Sequence, residues 1–462
     1  MRGSTLATRQ GPLIAIAAAS LGLIYGYDLS NIAGAGKFVA AEFQLSTGQV
    51  ETVTTAVAVG EILGAIVGGA LANRFGRKTV MLAVAAGYAI FAALSAFSVN
   101  IPMLMAVRFL LGLTIGVSVV VVPVFLAESA PPASRGRLMV TYQVATVAGI
   151  VIGYLAAGAL AASGNWRAML GLAALPAVAV GLLLTLTSET PRWYLAQGRV
   201  KDARRALGRL EPAGSADDEL LAIQQALAEE SGGSVADLLR RPYLRATGFV
   251  VILGFFIQIT GISAVVYYSP RIFKKMGYAN DLAQLRLSAA VQVGALIAVL
   301  ISLLLVDRVG RRPILLGGIA MMIVADAIMV WAFTGDLRNN IIGFAGVLLF
   351  TAGFNFGFGA LVWVYAGETF PAQLRSTGAS VMLTSDLVAN AVVAGSFLTV
   401  LESLGGAKTF AILGLLALAA FWFVYRFAPE TKGRQLEDIR HFWDNGGSWP
   451  ADTPAQYAGR QS

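Results

Sequence analysis

The sequence predicts an all-α membrane protein whose twelve transmembrane helices form two parallel six-helix repeats. Three observations predict this class: 57% of the 462 residues are hydrophobic and only 13% charged, apolar stretches recur along the chain, and a set of motifs occurs twice. Soluble domains contain about twice that share of charged residues. A lipid-exposed backbone must satisfy its hydrogen bonds within its own segment, so each apolar stretch is expected to be a helix.

Twelve apolar stretches are long enough to cross a bilayer as helices. Their approximate bounds, named spans 1 to 12 here, are 12–33, 52–72, 79–98, 102–126, 138–161, 168–187, 246–268, 286–306, 313–333, 341–366, 377–400 and 407–427. Span 2 contains four closely spaced glycines, Gly60, Gly64, Gly68 and Gly69. We interpret them as a face for close helix packing.

Basic residues concentrate on one side of the predicted membrane. If the N-terminus is cytoplasmic and the spans alternate in direction, 25 of the 34 Lys and Arg residues are cytoplasmic, 8 are external and Arg108 lies inside span 4. Such an excess marks the cytoplasmic side. We therefore expect both termini in the cytoplasm and a location in the plasma (inner) membrane. The basic residues that mark the cytoplasmic side account for the net charge of +8. We therefore expect no nucleic-acid partner.

The spans divide the chain into four regions. We expect an N-terminal six-helix bundle at 1–190, a cytoplasmic helical linker at 191–245, a C-terminal six-helix bundle at 246–440 and a disordered cytoplasmic tail at 441–462. In the linker, Ser215 stands before acidic residues and an apolar pattern that starts at Leu220, which is typical of a capped amphipathic helix. Ser234 marks the start of another. The linker could equally be a solvated connection without chemistry.

Three motifs occur twice at a similar offset. The pairs are 73–78 with 307–312, the Glu128 motif with the Glu368 motif, and the Glu189 motif with the Glu430 motif, at offsets of 234, 240 and 241 residues. Six helices are an even number, so the second copy has the same orientation as the first, which indicates parallel repeats.

Taken in order, the motifs resemble the sugar porter family of the major facilitator superfamily, from about Tyr25 to Ile439. The resemblance rests on these segments: Tyr-Gly-Tyr-Asp at 25–28, Gly-Arg-basic at 76–78 and 310–312, Arg108 with Gly112 and Gly116, and the runs 123–136, 189–193 and 429–433. It implies a twelve-helix carrier of the major facilitator fold, with a cytoplasmic helical insert. Such a carrier moves a small polyhydroxylated molecule, often with a proton.

Asp28 is an acid inside an apolar span, which makes it a functional candidate with Arg108 as its partner. In the family, an acid at this position accepts the proton in symporters and pairs with the span 4 arginine. A motion that changes their separation or hydration would change the proton affinity of the carboxylate. The alternative is a static buried pair that holds two helices together.

The resemblance also implies a substrate site. Its residues are Gln143, Gln258, Ser263, Tyr267, Trp363, Asp386 and Asn390, with Tyr268 beside Tyr267 as a second outer-gate tyrosine. Amides donate to and accept from hydroxyl groups, and an indole face stacks on a sugar ring. Each amide could instead join helices, and the tyrosines could simply pack between them.

The site departs from the family pattern at several positions. Span 7 has Ile257 and Ser263 where glucose and xylose carriers have a second Gln and an Asn, and span 11 has Asp386 at a Gln position. A buried carboxylate with fewer hydroxyl partners suits a ligand with an amine, or serves as a second proton site. Gly357 and Gly359 must provide the bending in span 10 that prolines give elsewhere. Asp326, a third embedded acid, is expected to lie harmlessly near the outer interface.

Charged residues of the repeated motifs share the predicted cytoplasmic side. They are Arg74, Arg77, Glu128, Arg135, Glu189, Arg308, Arg311, Glu368, Arg375 and Glu430. The family uses such residues as a salt-bridge latch between the bundles, which is our hypothesis for them; signals for topology alone are the alternative. A network of this kind can bias an equilibrium of a few kcal/mol.

The sequence thus predicts a secondary active transporter: a proton-coupled symporter of a monosaccharide or polyol in the cell membrane. The alternatives are a proton-coupled carrier of the same fold for an amino acid or other zwitterion, a facilitative uniporter, and a transport-dead sensor. No nucleophile, base and orienting group occur together, and without Cys there is no thiol or disulfide chemistry, so an enzyme is not expected. We expect no metal or cofactor, and a monomer whose partners are the lipid bilayer, a proton and a small-molecule substrate.

Overall fold

The structure, a computed structural model, describes residues 10–129, 135–210, 243–334, 340–370 and 372–432, with short stretches between 220 and 240 and between 442 and 445. All regular elements in this part are helices. They are α1 Gln10–Glu42, α2 Thr47–Phe75, α3 Arg77–Ala96, α4 Ile101–Ser129, α5 Arg135–Leu160, α6 Trp166–Gly171, α7 Ala174–Thr185, α8 Pro191–Ala196, α9 Val200–Leu210, α10 Leu244–Ile259, α11 Ile262–Lys275, α12 Asp281–Val309, α13 Arg311–Thr334, α14 Asn340–Phe356, α15 Phe358–Glu368, α16 Ala372–Ala394, α17 Phe397–Leu404 and α18 Gly406–Phe427.

The predicted helical membrane fold is confirmed. Eleven helical segments in the described residues are long and apolar enough to cross a membrane. Span 1 lies within α1, whose 33 residues extend for about 50 Å. Each predicted span therefore corresponds to a helix or to a pair of consecutive helices.

Four spans are interrupted. Span 6 breaks between α6 and α7, at residues 172–173. Span 7 breaks between α10 and α11 at Gly261, whose φ of +103° is unfavourable for any other residue. Span 10 breaks at Gly357, where the sequence predicts bending, while Gly359 lies inside α15. Span 11 breaks between α16 and α17. The sequence analysis does not predict the breaks in spans 6, 7 and 11, each of which lies inside one continuous predicted span.

Small residues set the spacing of α2 and α4. A Cβ at Gly60 would lie 2.1 Å from the carbonyl oxygen of Phe109, and one at Gly64 would lie 2.2 Å from that of Leu113. These two glycines therefore form the predicted packing face. In the described part of the chain, a Cβ at Gly69 would meet no atom within 4 Å, so the expectation is wrong for that residue.

The chain divides into two compact units by its contacts. Unit 1 comprises Met1–Ala228, Ser263–Val293 and Ala391–Ser403, and unit 2 comprises Glu229–Ile262, Gly294–Asn390 and Leu404–Ser462. Two segments of the predicted C-terminal bundle thus belong to the same unit as the N-terminal helices.

The linker between spans 6 and 7 has a small core of its own. Leu195, Ala203, Leu207 and Leu220 are buried together, and Ile223 packs against them. The apolar residues of the amphipathic pattern that starts at Leu220 therefore pack against α8 and α9. Ser215 and Ser234, the predicted helix starts, lie outside the described residues.

Two residues of the predicted tail are ordered against unit 2. Phe442 and Trp443 are buried, and the Trp443 ring lies 5.3 Å from that of Phe249 on α10. The expectation of a disordered tail is therefore wrong for these two residues, because packing removes their large apolar side chains from water. The tail from 446 onward lies outside the described residues.

Candidate functional site

The structure places Asp28 of α1 directly against Arg108 of α4. Arg108 Nη1 donates to Asp28 Oδ1 at 3.1 Å and Nη2 donates to Oδ2 at 3.3 Å. Each residue is only 1% exposed. This two-point geometry is specific to arginine, and at such burial each charge depends on the other.

A buried tyrosine of a third helix interacts with this pair. Tyr27 precedes Asp28 on α1, and Tyr88 of α3 is 1% exposed and interacts electrostatically with both charged residues. The pair is therefore enclosed by three helices, with little water to stabilise either charge if the other is neutralised.

The structure adds an acid that the sequence interpretation missed. Glu61, in the middle of span 2, is completely buried and interacts electrostatically with Tyr142 of α5. An acidic residue inside an apolar span is itself the signal that could have found it. Glu61 thus joins Asp28 as an acid buried within a predicted span of unit 1.

In unit 2, two predicted substrate residues are in contact. Gln258 of α10 donates from Nε2 to Oδ2 of Asp386 on α16 at 3.3 Å. Asp386 is 8% exposed and Asn390, one turn further along α16, is 1% exposed. This contact sets an amide and a carboxylate, two groups that can accept from hydroxyl donors, side by side on α10 and α16.

The other predicted substrate residues lie mostly in unit 1. Gln143 of α5 and Ser263 of α11 are half-buried. Tyr267 and Tyr268 are each 3% exposed, and the Tyr268 hydroxyl donates to the Ala394 carbonyl at 2.6 Å. Tyr268 is therefore fixed by the break between α16 and α17. The side chain of Trp363, on α15 in unit 2, lies outside the described residues.

The repeated Gly-Arg loops have the same construction in the two units. In unit 1, Gly76 has a φ of +96° and the Glu189 carboxylate accepts the Lys78 backbone N–H at 2.9 Å. In unit 2, Gly310 has a φ of +109° and the Glu430 carboxylate accepts the Arg311 and Arg312 backbone N–H groups at 3.1 and 3.0 Å.

Each carboxylate thereby caps a helix from a distant part of the chain. A Cβ at Gly76 would lie 2.3 Å from a Glu189 oxygen, and one at Gly310 would lie 2.6 Å from a Glu430 oxygen. Glycine is thus required for close approach as well as for backbone conformation. Anionic groups are favourable at helix N-termini, where N–H groups lack partners.

Burial raises the pKa of the Glu189 carboxyl above its usual range. The backbone N–H groups of Thr190 and Lys78 and the charge of Arg77 act in the opposite direction. Desolvation outweighs these interactions, so Glu189 takes up a proton more readily than an exposed glutamate.

Glu128 is the centre of a third group in unit 1. Arg77 Nη2 donates to Glu128 Oε1 at 3.1 Å, and the Thr190 hydroxyl donates to Oε2 at 2.7 Å. Arg192 approaches the same carboxylate at 3.8 Å. The members of the predicted latch that the structure pairs are therefore joined within a unit.

The remaining latch residues have fewer described contacts. Arg74 and Arg308 are exposed. The side chains of Arg135, Glu368 and Arg375 lie outside the described residues.

Asp326 is buried against a neighbouring helix. Asp326 lies on α13 and is 1% exposed. A Cβ added at Gly414 of α18 would lie 3.2 Å from the Cβ of Asp326. Among the described residues, neither carboxylate oxygen has a hydrogen-bond partner. The apolar surroundings of α13 and α18 account for this burial. The same part of the chain holds no group of three or more His, Cys, Asp or Glu residues placed to bind a metal ion.

Comparison with known proteins identifies the family. The profile described as "Sugar (and other) transporter" matches residues 14–443. The chain is 32% identical to the arabinose-proton symporter of Escherichia coli (strain K12), covering 93% of each protein. It is also 32% identical to the galactose-proton symporter of that strain, covering 91% of this chain and 92% of the relative, and to polyol transporter 5 of Arabidopsis thaliana, covering 95% and 88%.

A solved structure shows the same fold. The proton:xylose symporter XylE, bound to 6-bromo-6-deoxy-D-glucose, is 25% identical, with a TM-score of 0.82 over 95% of this chain and 100% of that one. These findings agree with the motifs, the repeats and the helices described above. The protein is a multi-pass membrane transporter and belongs to the sugar transporter family of the major facilitator superfamily.

Proposed function

We propose that the protein is a proton-coupled symporter that moves a monosaccharide or polyol by alternating access between two six-helix repeats. The supporting observation is the buried two-point contact of Asp28 with Arg108. It occurs in a chain whose relatives are named as arabinose-proton and galactose-proton symporters and as a polyol transporter.

Asp28 is the proton site in this proposal. While Asp28 is ionised, the pair is neutral overall, and two carboxylate oxygens satisfy the Arg108 guanidinium. Protonation neutralises the carboxyl and leaves a buried guanidinium charge, which is unfavourable until water or another group reaches it. Proton binding is therefore linked to any motion that changes the hydration of Arg108.

The driving force is sufficient for accumulation. One charge that crosses a potential of 100 mV yields about 2.3 kcal/mol, and a tenfold gradient of solute costs about 1.4 kcal/mol. One proton per substrate therefore supports a gradient of roughly fortyfold at that potential.

The acceptors on Gln258 and Asp386 favour a ligand rich in hydroxyl donors. Carboxylate and amide oxygens both accept from hydroxyl groups, so the neighbouring Asp386 and Gln258 suit the hydroxyls of a sugar or polyol. Gln143, Ser263, Tyr267, Trp363 and Asn390 complete the proposed set. The glycine break at Gly261, between Gln258 and Ser263, supplies a hinge for span 7.

For the topology, we propose the plasma (inner) membrane with both termini in the cytoplasm, which the distribution of 25 cytoplasmic and 8 external basic residues supports. A monomer with lipid, proton and substrate as its partners completes the proposal. The cytoplasmic linker and the charged residues of the repeated motifs then lie on the same side.

The test uses purified protein in proteoliposomes that contain a pH-sensitive dye. Hexoses, pentoses, polyols, amino acids and small carboxylates are added one at a time to the outside. We expect internal acidification with at least one sugar or polyol, and none in liposomes without protein. Uptake of a radiolabelled sugar without acidification would instead show facilitative transport.

Asp386 favours one second candidate, a proton-coupled carrier of a zwitterion. A buried carboxylate is the natural partner of a ligand ammonium group. Acidification with an amino acid but with no sugar or polyol would establish it. The change Asp386→Asn should then abolish this response, because the amide has no charge to offer the ammonium group.

A further inference from the structure

At the end of unit 1 opposite the Gly76 loop, two helices from different repeats are joined by reciprocal hydrogen bonds. Glu51, near the start of α2, accepts the Thr399 backbone N–H at 2.8 Å and the Thr399 hydroxyl at 2.5 Å. Glu402 accepts the Thr47 hydroxyl at 2.5 Å. We call these four residues the Thr/Glu clasp.

The clasp is matched to two antiparallel helices. Thr47 and Glu51 are four residues apart on α2, and Thr399 and Glu402 are three apart on α17, so each pair lies on one helical face. Each helix contributes one hydroxyl donor and one carboxylate acceptor. The first residue of one pair meets the second residue of the other, which requires opposite helix directions.

The Glu51 carboxylate is removed from solvent in this contact. Glu51 is 3% exposed, and its two oxygens are both used by Thr399. Arg271 of α11 interacts electrostatically with Glu51 and Glu402 and partly balances their charges. A buried carboxylate with these partners is stable only while α17 stays in place, since separation removes its donors.

The two sides of the clasp come from opposite repeats of the sequence. Thr47 and Glu51 belong to the first repeat, and Thr399 and Glu402 belong to the second. In alternating access, the repeats separate at one end at a time. The clasp can therefore form only while the transporter is closed at the clasp end, so it stabilises that state alone.

We propose that the Thr/Glu clasp is the catch that holds the transporter closed at the end opposite the Gly76 loop, with Glu51 as its principal residue. This inference rests on the proposed alternating access. Weakening the clasp should shift the resting population toward the state that is open at this end, without removing any residue of the proposed proton or substrate sites.

The absence of cysteine from the chain permits a direct test. The reporter is Thr54→Cys, because Thr54 is 4% exposed and lies one turn from Glu51 on α2. The rate at which a hydrophilic maleimide labels this cysteine is measured in purified protein. It is compared among the reporter background and the added changes Glu51→Ala, Thr399→Val and Ser403→Ala.

We expect Glu51→Ala to raise the labelling rate about tenfold, the effect of about 1.4 kcal/mol on a two-state equilibrium, and Thr399→Val to raise it less. Ser403→Ala is the matched control, because the Ser403 hydroxyl on α17 donates to its own helix at 2.6 Å. Unchanged rates in the first two variants would overturn the proposal.

A second reporter separates opening from unfolding. Ala177→Cys lies on α7 and is completely buried away from the clasp. Its labelling should stay slow in every variant. A parallel rise at this reporter would mean general loss of structure and would also overturn the proposal.

A cross-link tests whether the clasp must open during transport. In the variant Thr47→Cys/Glu402→Cys, a short bis-maleimide should stop uptake, while the single-cysteine variants treated alike should keep it. Uptake that persists in fully cross-linked protein would show that the clasp need not open. The labelling result does not depend on the substrate, so failure to find a transported sugar and failure of the clasp are distinguishable.

Discussion

Replacing Asp28 by Asn tests the proposed coupling most directly. The change removes one charge from a pair in which both residues are 1% exposed, but it keeps one side-chain oxygen able to accept from Arg108. We expect the accumulation ratio at 100 mV to fall from as much as about fortyfold to about one, because no proton accompanies the substrate. Substrate counterflow should continue, because exchange needs no net proton movement.

The structure also predicts a loss of stability. Removing one partner of a buried ion pair costs roughly 3–5 kcal/mol, less whatever the Asn oxygen still contributes. The double change Asp28→Asn/Arg108→Gln neutralises both residues and should recover much of this loss. We expect it to remain unable to accumulate substrate.

Paired measurements of accumulation, counterflow and thermal unfolding in proteoliposomes decide the matter. The control is Asp202→Asn, which removes an ion-paired aspartate from the linker, where Asp202 contacts Arg199 and Arg205. If the double variant of Asp28 and Arg108 regained uphill accumulation along with stability, the pair would be structural and the reasoning would be refuted. Accumulation intact in Asp28→Asn itself would have the same meaning.

Three further changes follow from other contacts. Asp386→Asn should raise the KM for a sugar or polyol about tenfold and leave the proton response intact, as expected for one weakened hydrogen bond to a charged group; lost accumulation at an unchanged KM would make it a proton site. Gly76→Ala should lower the free energy of unfolding by about 1–3 kcal/mol because of its positive φ and the oxygen 2.3 Å from the new Cβ, whereas Gly69→Ala should not, as thermal unfolding would show. Glu42→Gln should lower stability by at most about 1 kcal/mol at pH 7, because hydrogen bonds from Arg167 lower the Glu42 pKa. The stability that comes from a lowered carboxyl pKa is lost as the pH falls through that pKa, so the unfolding free energies of Glu42→Gln and the parent should become equal below about pH 4. A difference in stability that persisted there would contradict the proposed effect of Arg167 on Glu42.

The sequence predicts the helices well, because membrane spans are specified by composition over some 20 residues. It predicts breaks in them less well. The break at Gly357 is marked by several neighbouring glycines, but the one at Gly261 depends on a single glycine with a φ of +103° inside a continuous predicted span. Whether a helix breaks at a single glycine depends on the residues that pack around it in the fold, and the local sequence pattern does not reveal this.

Pairing between distant residues was predicted only where the family supplies it. The contact between Asp28 and Arg108 could be anticipated from the resemblance, but that between Gln258 and Asp386 could not, because the acid departs from the family pattern. Glu51 lies just outside the predicted bounds of span 2, so it reads as an ordinary helix-end residue. Its burial depends on α17, more than 340 positions later in the chain.

The helix-capping role of Glu189 and Glu430 changes how a cytoplasmic latch can be tested. Glu430 accepts three backbone N–H groups, from Arg311, Arg312 and Lys432, within its own unit. Replacing either glutamate would uncap a helix as well as remove a charge, so lost transport would not show that a latch exists. Arg308 is exposed, and its removal would change the charge at the same loop and leave the cap in place. If a latch depends on this loop, Arg308→Ala must therefore change transport. If the role of Glu430 is purely structural, Arg308→Ala should leave transport unchanged.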